Sequence, residues 1–121
     1  MSSIKTVVIG ASENPERYSN RAVRMLKQHK HEVVAVGLRG GEIDGVEIKT
    51  GHPDEENVNT VTLYVGPANQ AAWLEYIASL KPQRLILNPG TENPTIYNWA
   101  ISKGIEPVEA CTLVMLSVGT Y

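Results

Sequence analysis

The chain has 121 residues, 42% hydrophobic and 20% charged, enough to close one core and too few for two, so one domain over residues 1–121 without a separate catalytic domain is expected. A formal charge of -2, with basic residues scattered among acidic ones, gives no nucleic-acid footprint, and a single cysteine excludes an internal disulfide framework. No apolar stretch is long enough to span a membrane, and no signal-like apolar core precedes the first strand, so a cytoplasmic protein is expected.

Apolar runs bounded by turns alternate with helix-periodic segments, the pattern of parallel strands joined by crossover helices. A first strand spans residues 5–10. The helix after it, residues 19–29, has Ser19 or Asn20 as N-cap, with Ala22, Met25 and Leu26 inward and Arg21, Arg24 and Lys27 toward solvent. A second strand covers 32–38, and residues 42–50 read as two short extended pieces about an Asp44-Gly45 turn. Residues 51–59 lack periodicity and read as loop. A third strand, 60–65, precedes a helix over 67–80 whose stripe is Ala71, Leu74, Ile77 and Ala78. After a fourth strand at 84–88, Asn93 can cap a helix with Pro94 at its first position, Ile96, Ala100 and Ile101 inward, and Gly104 as left-handed terminator. A fifth strand takes 106–109, and the apolar run 113–116 forms a short terminal helix.

The turn leaving the first strand carries most of the functional information. Val7-Val8-Ile9-Gly10 is followed by the long polar stretch Ala11 to Asn20, where a Rossmann-like domain holds a nucleotide pyrophosphate. A dinucleotide fingerprint needs glycines at its first, third and sixth positions, which here are Gly10, Ser12 and Pro15. Asn14, preceding Pro15, is biased away from helical angles, so the loop is longer than the dinucleotide type and suits a different ligand. Gly10 and Ala11 let the backbone approach that ligand, Ser12 and Asn14 offer side-chain hydrogen bonds, and Tyr18, Ser19, Asn20 and Arg21 start a helix whose dipole favours phosphate. Glu13 and Glu16 are expected to point outward. Without a ligand, the same residues make an N-capped loop with Arg17 and Arg21 exposed.

The segment GASENPERYSNRAVR, residues 10–24, resembles the opening of the stand-alone CoA-binding domain proteins, relatives of the N-terminal domain of the succinyl-CoA synthetase alpha subunit. The similarity extends to the basic glycine-rich turn Gly37-Leu38-Arg39-Gly40-Gly41, the Gly66-Pro67 turn, the Asn88-Pro89-Gly90 turn and Cys111. The resemblance implies an α/β, Rossmann-like, three-layer doubly wound parallel sheet of five strands in the order 3-2-1-4-5, with the Gly10 loop at the topological switch. It implies coenzyme A, or a short acyl-CoA, as ligand. NAD domains place an acid after the second strand, whereas Arg39 is a cation suited to the 3'-phosphate of CoA or the 2'-phosphate of NADP. The bland reading is a solvated arginine in a glycine-flanked turn. The resemblance further implies an adenine wall at Tyr64, Gly66 and Pro67, and a pantetheine route along Asn88, Pro89, Gly90 and Thr91. Thr112 stands where the family places a proline.

No catalytic constellation emerges, and His29, His31 and His52 lack metal-ligand spacing. The expected function is binding of a small-molecule CoA without chemistry of its own, by a monomer or a homodimer that engages neither nucleic acid nor membrane. The alternatives are an NADP-dependent enzyme, disfavoured by the missing glycines, and an interaction module with a decayed nucleotide site. Cys111 reads first as a small core residue; a second reading places its thiol near the pantetheine thiol, within reach of a mixed disulfide.

Overall fold

The computed structural model describes residues 3–121. In chain order the elements are β1 (Thr6–Ile9), α1 (Tyr18–Gln28), β2 (Val33–Val36), β3 (Gly41–Ile43), β4 (Val46–Lys49), β5 (Thr60–Leu63), α2 (Leu74–Leu80), β6 (Arg84–Leu87), α3 (Pro94–Ser102), β7 (Glu106–Glu109) and α4 (Thr112–Val118). Every residue of β1 and β5 is buried, because these strands occupy the middle of the sheet with helices on both faces. Val7, Ile9, Val61, Leu63, Leu85 and Leu87 pack under α2 and α3, whereas Val8 and Ala35 pack with Val23, Leu26 and Leu116 from α1 and α4. The result is a three-layer, Rossmann-like α/β sandwich.

The sheet has seven strands in the order β3-β4-β2-β1-β5-β6-β7, which corrects the expected five and their order. Strand β5, expected beside β2, pairs with β1 instead (Thr6 to Thr60, Ile9 to Leu63). The place beside β2 belongs to β4, through Ala35 to Ile48 and Val36 to Lys49. Asp44 and Gly45 have φ of 48° and 85°, the left-handed pair that closes a tight hairpin, so β3 folds back antiparallel on β4. All other pairings are parallel. The chain leaves β1 toward β2 on one side and crosses to β5 on the other, so the Gly10 loop does lie at the switch.

Three further expectations need correction. Helix α1 begins at Tyr18 after Arg17, so Ser19 and Asn20 lie buried in its first turn rather than capping it. Residues 67–73 form two 3-10 turns, Pro67–Asn69 and Ala71–Trp73, before the seven-residue α2. Their three-residue period rotates the buried stripe to Trp73, Tyr76, Ile77 and Leu80 and leaves Ala71 exposed. The side chain of Gln70 fixes the break, donating to Val65 O (3.0 Å) and Thr91 O (2.7 Å). In α3 the Asn93 cap (Thr95 N to Oδ1, 3.1 Å), Pro94 and left-handed Gly104 stand as expected, but Ile101 is 56% exposed because the buried stripe is narrow, Ile96 and Ala100.

The 51–59 loop is tied beneath the sheet by Glu55, whose two oxygens meet Lys49 Nζ and Lys5 Nζ at 3.0 Å each. Burial alone would raise this carboxyl, but the two ammonium partners outweigh it and hold Glu55 below its ordinary value of 4.5. A depressed carboxyl stabilises the fold fully above its unfolded value and loses that contribution as pH falls through the folded one. Glu55→Gln is therefore expected to lower the melting temperature at pH 7 and to match the parent in acid below the carboxylate range. A pH-independent difference between the two melting curves would contradict the ion-pair origin.

Candidate functional site

The loops leaving β1, β2, β5 and β6 enclose an open cleft of about 1280 Å³ on the carboxyl edge of the sheet. Gly10 turns the chain with φ of 97°, and a Cβ there would stand 2.9 Å from the Tyr64 carbonyl oxygen, so the exits of β1 and β5 can touch only with glycine at this position. The amides of Gly10 and Ala11 both donate to Val36 O (2.9 and 3.0 Å). Beneath them a Cβ on Gly37 would lie 2.4 Å from Ala11 O. Gly37 is thus buried under the loop and shapes the cleft without lining it.

The loop braces itself. Ser12 Oγ accepts from Asn14 N (3.1 Å), Asn14 Oδ1 accepts from Glu16 N (3.0 Å), and Asn20 donates from below to Ser12 O (2.9 Å) while accepting from Arg24 Nε (2.8 Å). Gly10, Ala11, Ser12, Asn14, Tyr18 and Ser19 line the cleft; Asn20 supports it. Among the described residues the amides of Tyr18 and Ser19 make no hydrogen bond, leaving two helix N-terminal donors at the wall. Arg21 does not join them, because its guanidinium lies over the Tyr18 ring, 5.4 Å from the centroid. Arg17, read from the sequence only as an exposed residue, lines the cleft instead.

Leu38, Arg39 and Gly40 form the facing rim, with Leu38 89% exposed. Among the described residues neither Arg17 nor Arg39 has a carboxylate within 4.0 Å. The carboxylate that does line the cleft is that of Glu13, expected outside it; Glu13 Oε2 accepts from the backbone N–H of Glu42 at 3.0 Å, which draws it across to β3. Glu16 is exposed and away from the lining.

Beyond β5 the wall runs from Tyr64 to Gly66 and through Ala68, Asn69 and the two 3-10 turns to Trp73. Pro67 is not part of it. The sequence hid this wall, since the residues from Ala68 to Trp73 read as the first half of a regular helix. From the β6 exit, Pro89, Gly90 and Thr91 reach the cleft, but Asn88 is 1% exposed beneath them. Its amide donates to Thr62 Oγ1 (2.7 Å) and Leu63 O (2.9 Å), and its oxygen accepts from Thr112 N (2.9 Å). Thr112 Oγ1 adds a 2.8 Å bond to Thr62 Oγ1. A proline at 112 could not supply that N–H, so the threonine and the buried amide belong together.

Burial pushes the Tyr64 phenol well above its ordinary range, with Cys111 adding to the shift. The nearby Thr112 and Thr62 hydroxyls temper it, yet the phenol oxygen has no hydrogen bond of good geometry with either. Cys111 is half-buried ahead of α4 and lies outside the cleft lining. His31 Nδ1 accepts from Ile4 N (2.9 Å) and His52 stacks on Tyr76 with centroids 4.9 Å apart. Among the described residues no group of three His, Cys, Asp or Glu could hold a metal, and no helix is long and apolar enough to cross a membrane.

The model of the family described as CoA binding domain matches residues 5–117. The chain belongs to that family. A crystal structure of an uncharacterized protein is 47% identical, with a TM-score of 0.96 and each chain covered in full. The cell-free ID.343 protein from Thermus thermophilus is 22% identical with a TM-score of 0.84, covering 98% of this chain and 91% of its own. The dinucleotide forming acetyl-coenzyme A synthetase 1 of Ca. Korarchaeum cryptofilum, in complex with phosphate and ADP, is 15% identical. Its TM-score is 0.71, and 88% of this chain aligns with 25% of that one. The last two likenesses are of fold. No curated protein matches the chain.

Proposed function

We propose that this CoA binding domain holds coenzyme A or a short acyl-CoA in the cleft and performs no chemistry of its own. One observation carries the reading: Arg17, Arg39 and the open Tyr18 and Ser19 amides surround a single cleft at the topological switch, with neither guanidinium paired to a carboxylate among the described residues. In this reading Arg39 takes the adenosine 3'-phosphate, and the Gly10 loop with the α1 N-terminus takes the pyrophosphate. The adenine lies between the Leu38 rim and the wall from Tyr64 to Trp73, and the pantetheine leaves past Pro89, Gly90 and Thr91. Gly37, Asn20 and Asn88 act from beneath by setting the loops. Pro67 and Arg21 have no contact role in this arrangement.

A ligand raises the melting temperature only through its affinity for the folded form. At matched concentration, CoA is expected to raise it more than either NADP or NAD. Equal or greater stabilisation by NAD would contradict the assignment.

A further inference from the structure

Arg39 alone cannot separate CoA from a nucleotide phosphorylated on the neighbouring ribose oxygen, since a guanidinium forks equally onto either phosphate. The cleft holds a second group that can. Glu13 sits on the phosphate loop, yet its carboxyl is delivered to the start of β3, two residues past Arg39, where Oε2 is bound by Glu42 N at 3.0 Å. The side chain lies against Gly41, where a Cβ would stand 2.3 Å from Glu13 Cδ. Among the described residues Oε1 of the same carboxylate makes no hydrogen bond, and Glu13 lines the cleft together with Arg39. One anchored oxygen and one open oxygen, held at the strand that begins two residues after Arg39 and in the cleft that Arg39 also lines, suit a reader for a neighbouring donor and anion.

We propose that Glu13 is a specificity-determining residue that accepts the ribose 2'-hydroxyl while Arg39 holds the 3'-phosphate. The proposal rests on the cleft being the CoA site. A 2'-hydroxyl donates to the open oxygen, whereas a phosphate at the 2' position is set against a carboxylate held in place by β3, a like-charge contact. The same carboxylate that selects nucleotides with free ribose hydroxyls in NAD domains thus works here alongside a cation, and it arrives from the first loop rather than from the end of β2.

The test compares CoA with its isomer carrying the phosphate on the ribose 2'-oxygen, two ligands of equal charge, by calorimetric titration. The parent is expected to prefer CoA by roughly tenfold, the size of one charge-assisted hydrogen bond. Glu13→Gln keeps an oxygen for Glu42 N and removes the charge; it is expected to bring the ratio below about threefold, mainly by tightening the 2'-isomer. Arg39→Gln is expected to weaken both isomers. Equal binding of the two isomers by the parent, or an unchanged ratio in Glu13→Gln, overturns the proposal while leaving the CoA reading intact. Equal weakening of both isomers by Glu13→Gln, with circular dichroism unchanged, also overturns it by reducing Glu13 to a brace for the loop. Absence of binding by CoA itself would take down the parent reading and this inference together.

Discussion

Arg39→Glu is expected to weaken CoA binding by roughly tenfold or more while changing dephospho-CoA by less than about threefold. A hydrogen-bonded charge pair contributes about 1.5 to 3 kcal/mol, and each 1.4 kcal/mol is a factor of ten. Reversing the sign adds repulsion to the loss. Arg39 is exposed, so the effect is screened and should shrink as salt rises. The difference between the two ligands isolates the 3'-phosphate, because dephospho-CoA retains every other contact. An equal loss for both would show that Arg39 acts on the pyrophosphate or on the fold rather than on that phosphate.

Asn88→Ala is expected to destabilise the protein by about 3 kcal/mol, because it strands several buried groups at once. The Thr112 amide loses its acceptor, the Leu63 carbonyl loses one donor, and Thr62 Oγ1 keeps only its bond to Thr112 Oγ1. These groups are cut off from bulk solvent at the seam between α4 and the sheet, where Thr62 and Thr112 are both 0% exposed. Urea denaturation with an unchanged m-value and a lowered midpoint would register the loss. A variant within about 0.5 kcal/mol of the parent would show that the amide is dispensable there.

How far this architecture could be read from residues depended on whether local chemistry or tertiary pairing decided each element. Strands β1 and β6 are apolar runs, β5 a β-branched run bounded by turns, and α3 carries Asn93, Pro94 and Gly104 at its ends, so sequence alone placed them within a residue or two. The Asp44-Gly45 turn was visible as well. What no periodicity could tell was that its second arm, Val46–Lys49, would take the seat beside β2 and move β5 to the other side of β1. Strand order is a non-local choice. The start of α1 differs for a related reason: Asn20 has the composition of an N-cap, but its amide is spent on Ser12 O eight residues back.

The cleft divides in the same way. Gly10, Ser12, Asn14, Tyr18, Ser19 and Arg39 were legible because a loop with one glycine and a cation after the second strand have few other uses at those places. Arg17 was missed in favour of Arg21, since a one-residue shift in the helix start turns a side chain by about 100°. Charge alone points Glu13 outward, and only the position of the Glu42 amide shows where its carboxylate is held. Asn88 and Gly37, contact candidates by sequence, lie buried beneath the loops and do not line the cleft.

Calorimetric titration of the purified protein with CoA, and with NAD in parallel, tests the central claim most directly. Saturable binding of one CoA per chain is expected, with NAD at least tenfold weaker, the margin of a lost phosphate contact at Arg39. No heat with CoA, or NAD binding as tightly as CoA, would contradict it.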